Sequence, residues 1–278
     1  MRALVTGSNS GFGRAIVGQL ADAGMDVVAS ARRPEAAADL RREREGGRGA
    51  VDVAVLDVAV ESSREQAIDE VFTRYGAIDV LVNNAGILRV GSLEDMPPKT
   101  LEQMFATNFF GPVDLARRLL PQMRARGAGR IVNVTAIGAV LCTPFLGAYC
   151  ATKHALDSAS ASMDLEVRSF GVRVCSVLPG AFRTAIAANL SGDAEPPGAY
   201  AELVEDFASG LAERIEGGPD DLTPVTRAVL AAATDSAPRS RYLVGGPPHL
   251  GPLVDSLEAA HLAEAQRLGL EDGHDVRA

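Results

Sequence analysis

The sequence predicts an α/β fold: one doubly wound domain in which a seven-stranded parallel sheet carries helices on both faces. Two observations lead there. Short β-branched or apolar runs alternate with longer Ala/Leu/Arg-rich segments of helical period, the pattern of repeated βαβ units. Most of the short runs, such as "VLVNN" and "RIVNV", are apolar on both sides of their alternation, so both sheet faces need cover.

Taken in order, the first strand is Arg2 to Thr6, followed by a helical pattern from Gly13 to Ala23. Strand two, Asp26 to Ser30, leads to Glu35 to Glu45, and strand three, Asp52 to Leu56, leads to Ser63 to Tyr75. Strand four, Val80 to Asn83, precedes one long helical period from Leu101 to Arg126. Strand five, Arg130 to Thr135, precedes a helix over Gly147 to Ser169. Val172 to Leu178, a helix over Pro224 to Ala233 and Arg241 to Val244 complete the alternation within a single domain spanning 1–278.

Two regions break the rhythm. Residues 185–221 are acidic and punctuated by Pro and Gly, and they follow the carboxyl end of a strand, where an insertion reads as a lid over a site. A helical surface decoration is the plainer alternative. The extension 245–278 opens on "GGPPHLGP" and continues as an amphipathic pattern through Leu268, suited to the substrate side or to a subunit interface.

Composition narrows the function classes. The 278 residues are 47% apolar, and 36 acidic residues against 27 basic ones leave a net charge of −9 with no basic block, which argues against a nucleic-acid partner. Cys142, Cys150 and Cys175 lack metal or disulfide spacing, which fits a reducing, cytoplasmic setting. No apolar run reaches the roughly 18 residues of a membrane span, so no membrane partner is expected. Of the 27 basic residues, 25 are arginine, and the two lysines are Lys99 and Lys153.

Three motifs carry chemistry. "TGSNSGFG", Thr6 to Gly13, joins the first strand to the first helix; glycines there bring the backbone close to a pyrophosphate at a helix N-terminus. The second strand runs into Arg32 and Arg33 with no acidic residue, which favours the 2′-phosphate of NADP(H) over the free ribose of NAD. Tyr149 and Lys153 stand four apart on one helical face, and a cation beside a phenol is expected to lower its pKa toward working pH.

With "NNAG" from Asn83 to Gly86 and with Pro179-Gly180, these motifs stand in one order over roughly residues 2–245. Together they resemble the classical short-chain dehydrogenase/reductase family, a single-domain Rossmann fold. The resemblance implies that Gly7, Gly11 and Gly13 are cofactor glycines, with Ser10 and Phe12 adding backbone contacts. It implies that Asp57 holds the adenine amino group beside Val58, and that Asn84, Ala85 and Gly86 line the ribose. Pro179, Gly180, Phe182 and Thr184 would embrace the carboxamide and phosphates. Asn108 would hold a water that relays protons to Lys153, and Lys153 would bind the nicotinamide ribose and tune Tyr149, the acid/base. Family members are commonly homodimers or homotetramers built on the helices that correspond to 101–126 and 147–169.

One position departs from the family pattern. The family places a Ser thirteen residues before the Tyr, and this chain has Ala136. Such a hydroxyl stabilises developing negative charge on the substrate oxygen. Thr135 is a neighbouring hydroxyl that the two-residue period of a strand aims at the opposite face. Thr143, or the substrate itself, is a second source. A third reading gives up redox chemistry for a cyclisation or dehydration on a scaffold that still binds NADP(H). A nucleotide-sensing regulator would not need Tyr149 and Lys153 aligned.

"YCATKHAL" and "RYLVG" are similar to the 17β-hydroxysteroid-dehydrogenase-like branch, which implies a bulky hydrophobic ketone of polyketide or steroid type. His154, Cys142 and Cys150 read as packing residues, and Glu202, Glu205 and Asp206 as a solvated face.

Overall fold

The computed structural model describes residues 1–33, 35, 38–43, 46–184 and 198–270. Strands β1 (Arg2–Val5), β2 (Asp26–Ala31), β3 (Val51–Val55), β4 (Val80–Asn83), β5 (Gly129–Val134), β6 (Val172–Pro179) and β7 (Arg241–Val244) form one sheet in the order β3-β2-β1-β4-β5-β6-β7. Each pairing is parallel. The expected seven-stranded sheet is therefore present, with ends shifted by a residue or so.

Helices α1 (Gly11–Asp22), α2 (Ala38–Glu43), α3 (Glu61–Tyr75), α4 (Pro98–Phe105), α5 (Gly111–Ala125), α6 (Gly147–Val167), α7 (Ala201–Glu216), α8 (Thr223–Thr234) and α9 (Leu250–Arg267) surround it. Consecutive strand residues enter opposite cores, as the two-residue period requires. Val5, Val82, Val132 and Val177 meet Ile16 and Leu20 of α1 and Val225 and Val229 of α8. Leu4, Leu81, Ile131 and Val174 meet Ile68 of α3 and Leu115 and Leu119 of α5. Apolar residues on both sides of each strand thus become two cores, one per sheet face.

The strand order reverses between β1 and β4, where Ala3 pairs with Val80. At such a switch point the flanking connections leave in opposite directions and open a crevice at the strand carboxyl ends.

The helical period over 101–126 is interrupted. A π turn, Ala106–Phe110, separates α4 from α5. At its end a Cβ on Gly111 would lie 2.4 Å from the Val58 carbonyl oxygen, so the chain passes hard against the turn after β3. One wider turn lets the helix pass there and re-aims Asn108 inward, in keeping with the concentration of π turns at functional sites.

Of the insertion 185–221, residues 185–197 lie outside the described residues, and α7 forms from the remainder. Residues 271–278 of the extension are likewise outside them. The extension packs on its own domain: Gly246 lies against Gly180 and Ile137, and Val254 of α9 against Leu178. Glu258 of α9 accepts hydrogen bonds from the Ser240 and Arg241 amides and the Ser240 hydroxyl at the start of edge strand β7. His261 pairs with buried Asp164 of α6 at 2.8 Å, and Asp164 also accepts from Arg173 (2.9 Å) and the Val174 amide (2.8 Å). Burial alone raises the Asp164 pKa, but the bonds from His261 and Arg173 outweigh it and hold the carboxyl at about 2.

Candidate active site

The glycine turn is held from both sides. Thr6 Oγ1 accepts from the Asn84 and Ala85 amides (3.0 Å each), and Asn84 Nδ2 donates to the Thr6 (2.9 Å) and Gly7 (3.1 Å) carbonyls. Gly7 has φ +68°, and a Cβ on it would meet Ala85 Cα at 2.9 Å; a Cβ on Gly13 would meet the Gly7 oxygen at 2.1 Å. The turn is closed to side chains and open to a group that needs bare backbone and a helix N-terminus.

This turn floors one end of a cleft of about 510 Å³ at the strand carboxyl ends, within the usual range for small-molecule sites. Around it stand Gly7, Ser10, Gly11, Phe12, Gly13, Arg32, Asp57, Val58, Asn84, Ala85, Gly86, Tyr149, Lys153, Pro179, Gly180, Phe182 and Thr184. Thr135, Ala136 and Thr143 also border it. Phe12 and Phe182 meet edge to face at 5.6 Å, joining the turn to the segment after β6.

Two residues singled out in the sequence do not line the cleft. Arg33 is exposed and, unlike Arg32, is not part of its wall. Asn108 is fully buried behind it. Its Nδ2 donates to the Ile87 carbonyl (2.8 Å) and Thr152 Oγ1 (3.0 Å), and its Oδ1 accepts from the Ile87 amide (2.9 Å). Thr152 Oγ1 in turn donates to the Tyr149 carbonyl at 2.7 Å. Asn108 therefore braces the segment after β4 against α6. A Cβ placed on Gly86 would lie 3.4 Å from Asn108 Oδ1 and 3.6 Å from Lys153 Nζ, so these two side chains converge under bare backbone.

Tyr149 and Lys153 come from the first two turns of α6 and are both buried. Lys153 Nζ donates to the Val134 carbonyl (3.1 Å) at the end of β5 and sits 5.7 Å from the Tyr149 ring centre. Burial pushes the Tyr149 phenol up and lowers the Lys153 ammonium to about 8. The expected lowering of the phenol by its neighbour is thus reversed. Desolvation opposes any charged form, and the ammonium is anchored on a carbonyl rather than on the phenol oxygen. Near neutral pH the pair is a protonated phenol beside a mainly charged ammonium.

Ala136 stands just past β5, with a methyl where a hydroxyl would face the cleft. Thr135 does not substitute, because its Oγ1 donates to the Val177 carbonyl at 3.1 Å inside the sheet.

The far wall was not legible in the motifs. Leu211 and Ile215 of α7 pack with Leu88, Leu146 and Tyr149. Phe145, in the left-handed region at φ 60°, places its ring 5.7 Å from that of Phe207 of α7. A helical period in 201–216 was the available signal, but its partners are distant in sequence. His154 bonds the Cys150 carbonyl of its own helix, and Glu202, Glu205 and Asp206 are exposed, as expected of a packing residue and a solvated face. Among the described residues no cluster of three or more His, Cys, Asp or Glu could hold a metal, and no helix is long and apolar enough to cross a membrane.

The family model for short chain dehydrogenases matches residues 1–195, and the chain belongs to that family. It is 36% identical over 186 residues to 3-ketodihydrosphingosine reductase of Bacteroides thetaiotaomicron, a match covering 67% of this chain and 65% of that protein, so somewhat less than two thirds of the relative's length is spanned. Among solved structures, a short-chain dehydrogenase from Streptomyces avermitilis aligns with a TM-score of 0.78 and 38% identity over 96% of each chain. Gluconate 5-dehydrogenase from Burkholderia cenocepacia, determined with NADP and tartrate, aligns with a TM-score of 0.66 and 30% identity over 88% of this chain and 93% of that one. The chain therefore shares the family and the fold of these dehydrogenases and reductases.

Proposed function

We propose that this protein interconverts a ketone and a secondary alcohol on a bulky hydrophobic substrate, of polyketide or steroid type, with NADP(H) as its cofactor. The observation that carries the reading is the buried Tyr149–Lys153 pair in the same cleft as the glycine turn.

The residues present fit a dinucleotide. Gly7, Gly11 and Gly13 form a cradle that a Cβ would fill, and Asp57 and Val58 border the cleft beyond it. Arg32, on the cleft wall after β2, would pair with a 2′-phosphate, the choice that favours NADP(H) over NAD. When bound, the nicotinamide supplies or accepts the hydride. Pro179, Gly180, Phe182 and Thr184 close its end of the cleft.

In the reducing direction the protonated Tyr149 phenol donates to the carbonyl oxygen, and its raised pKa suits an acid that must hold its proton until the oxygen becomes basic. Lys153 keeps a positive charge beside that phenol and stabilises it once deprotonated. Asn108 fixes the segment after β4 against α6 on the side where Lys153 enters the cleft. With Ala136 in place, the substrate oxygen receives no hydroxyl from that position, and Tyr149 and Thr143 are, besides Thr135, among the hydroxyls that border the cleft. Leu88, Leu146, Leu211 and Ile215 offer the apolar surface for the substrate body, and α7 serves as a lid.

Ala136 also favours a second reading, a non-redox step such as cyclisation or dehydration on the same scaffold. We further propose a cytoplasmic homodimer or homotetramer through α4 to α6, where Phe110 is 58% exposed.

The test is oxidation of NADPH against NADH across a panel of hydrophobic ketones. NADPH should be consumed and preferred. Arg32→Ala should reduce kcat/KM for NADPH by about tenfold while changing NADH little, the loss expected for one guanidinium–phosphate contact. Product formation with no NADPH consumed supports the non-redox reading instead.

A further inference from the structure

The cleft inverts the charge of the chain around it. In a chain of net charge −9, the described charged residues lining the cleft are Arg32, Arg89, Lys153 and Arg214 against the single acid Asp57. Clustered charge of one sign in a low-dielectric cleft concentrates ligands of the opposite sign. On the proposed reading Arg32 and Lys153 would serve the cofactor, and the glycine turn with the α1 N-terminus would hold its pyrophosphate. Arg214 stands outside those roles, and so does Arg89, although Arg89 already has partners of its own.

Both stand at the substrate end. Arg89 follows Leu88 in the segment after β4, and its Nη1 donates to the Leu88 carbonyl at 2.9 Å. Arg214 lies in the last turn of α7, between Leu211 and Ile215 of the apolar wall. Its Nε donates to the Gly210 carbonyl at 3.3 Å, and its guanidinium lies 5.9 Å from the Phe207 ring centre. Among the described residues its two terminal nitrogens have no partner. A cation in a last turn complements the helix carbonyl end. The side chain is exposed, so its terminal nitrogens are open to a ligand entering from the cleft.

We propose that the substrate is an amphipathic carbonyl compound, with an apolar body on the Leu211–Ile215 wall and an anionic group, carboxylate or phosphate monoester, bound by Arg214 with Arg89 on the same rim. The proposal rests on the ketone-reductase reading and sharpens its substrate class. A planar guanidinium suits either anion through paired hydrogen bonds.

The probes are a medium-chain γ-keto acid, its methyl ester and the corresponding keto-alkyl phosphate, titrated calorimetrically into NADPH-loaded protein and then assayed for NADPH oxidation. At least one anion should bind about tenfold or more tighter than the ester, and the tighter of the two identifies the source. Arg214→Ala should remove most of that preference, acting on KM more than on kcat, while Arg214→Lys should retain part of it and NADPH affinity should change less than about twofold. Equal binding of acid, phosphate and ester, or binding of none, overturns the proposal. So does a tenfold loss of NADPH affinity in Arg214→Ala, which would give the arginine to the cofactor. Anion-selective binding without NADPH oxidation supports the anion site and sinks the reductase reading alone.

Discussion

The two ends of the cleft are built from different materials. At the glycine turn the surface is backbone: Gly7 and Gly13 are so close to Ala85 and to each other that a methyl group does not fit, and Thr6 and Asn84 tie the turn to the β4 end. At α7 the surface is side chain: Leu211, Arg214 and Ile215 reach over a wall whose partners come from three other segments, and a Cβ on Gly210 meets nothing within 4 Å. A backbone surface suits a ligand that never changes, such as a cofactor. A side-chain surface can be rewritten residue by residue without disturbing the sheet, which is what substrate choice requires.

The change that breaks this contrast most sharply falls at its rigid end. Gly13→Ala puts a Cβ 2.1 Å from the Gly7 oxygen, so the turn must shift. We expect cofactor affinity to fall by about a hundredfold and stability by about 1–3 kcal/mol, the range for overpacking. Gly210→Ala, the same change at the adaptable end, should raise stability by up to about 1 kcal/mol through helix propensity and leave cofactor affinity alone. Cofactor titration and denaturant unfolding of the two variants check both.

A smaller effect probes the catalytic pair, which lies between the two ends. Lys153 is lowered to about 8 by burial, so its charge is present below that pH and lost above it. Ketone reduction should therefore be level from about pH 6 to 7.5 and decline above about 8, approaching tenfold per unit, in a profile of kcat/KM. A flat profile to pH 10 contradicts the role given to the ammonium.

The same contrast explains what was legible in the sequence. The strands could be read because residues such as Leu4 and Val5, or Ile131 and Val132, are apolar on consecutive positions and each face is buried. The glycine turn could be read because only glycine tolerates the approach seen at Gly13. The π turn at Ala106–Phe110 could not, since the apolar pattern runs through it and the slip in phase is set by contact with Val58. The docking of α9 was hidden for a similar reason. Glu258 and His261 look like exposed charge on a surface helix until they meet Ser240, 18 residues away, and Asp164, 97 residues away. Spacing shows the cation beside Tyr149 but not the burial that raises its phenol, so the direction of that shift is not legible in the sequence. Arg214 on the cleft wall depends on how α7 packs, which no local motif encodes.

The central claim is that Tyr149 is the proton donor of a ketone reductase, and Tyr149→Phe tests it most directly. The variant removes one oxygen from a buried ring and leaves the cofactor turn untouched. Measured with saturating NADPH and a turned-over ketone, its kcat should fall by about a thousandfold or more, the scale of a lost general acid, while NADPH binds within about twofold of the unaltered protein. Turnover close to that of the unaltered protein would contradict the account.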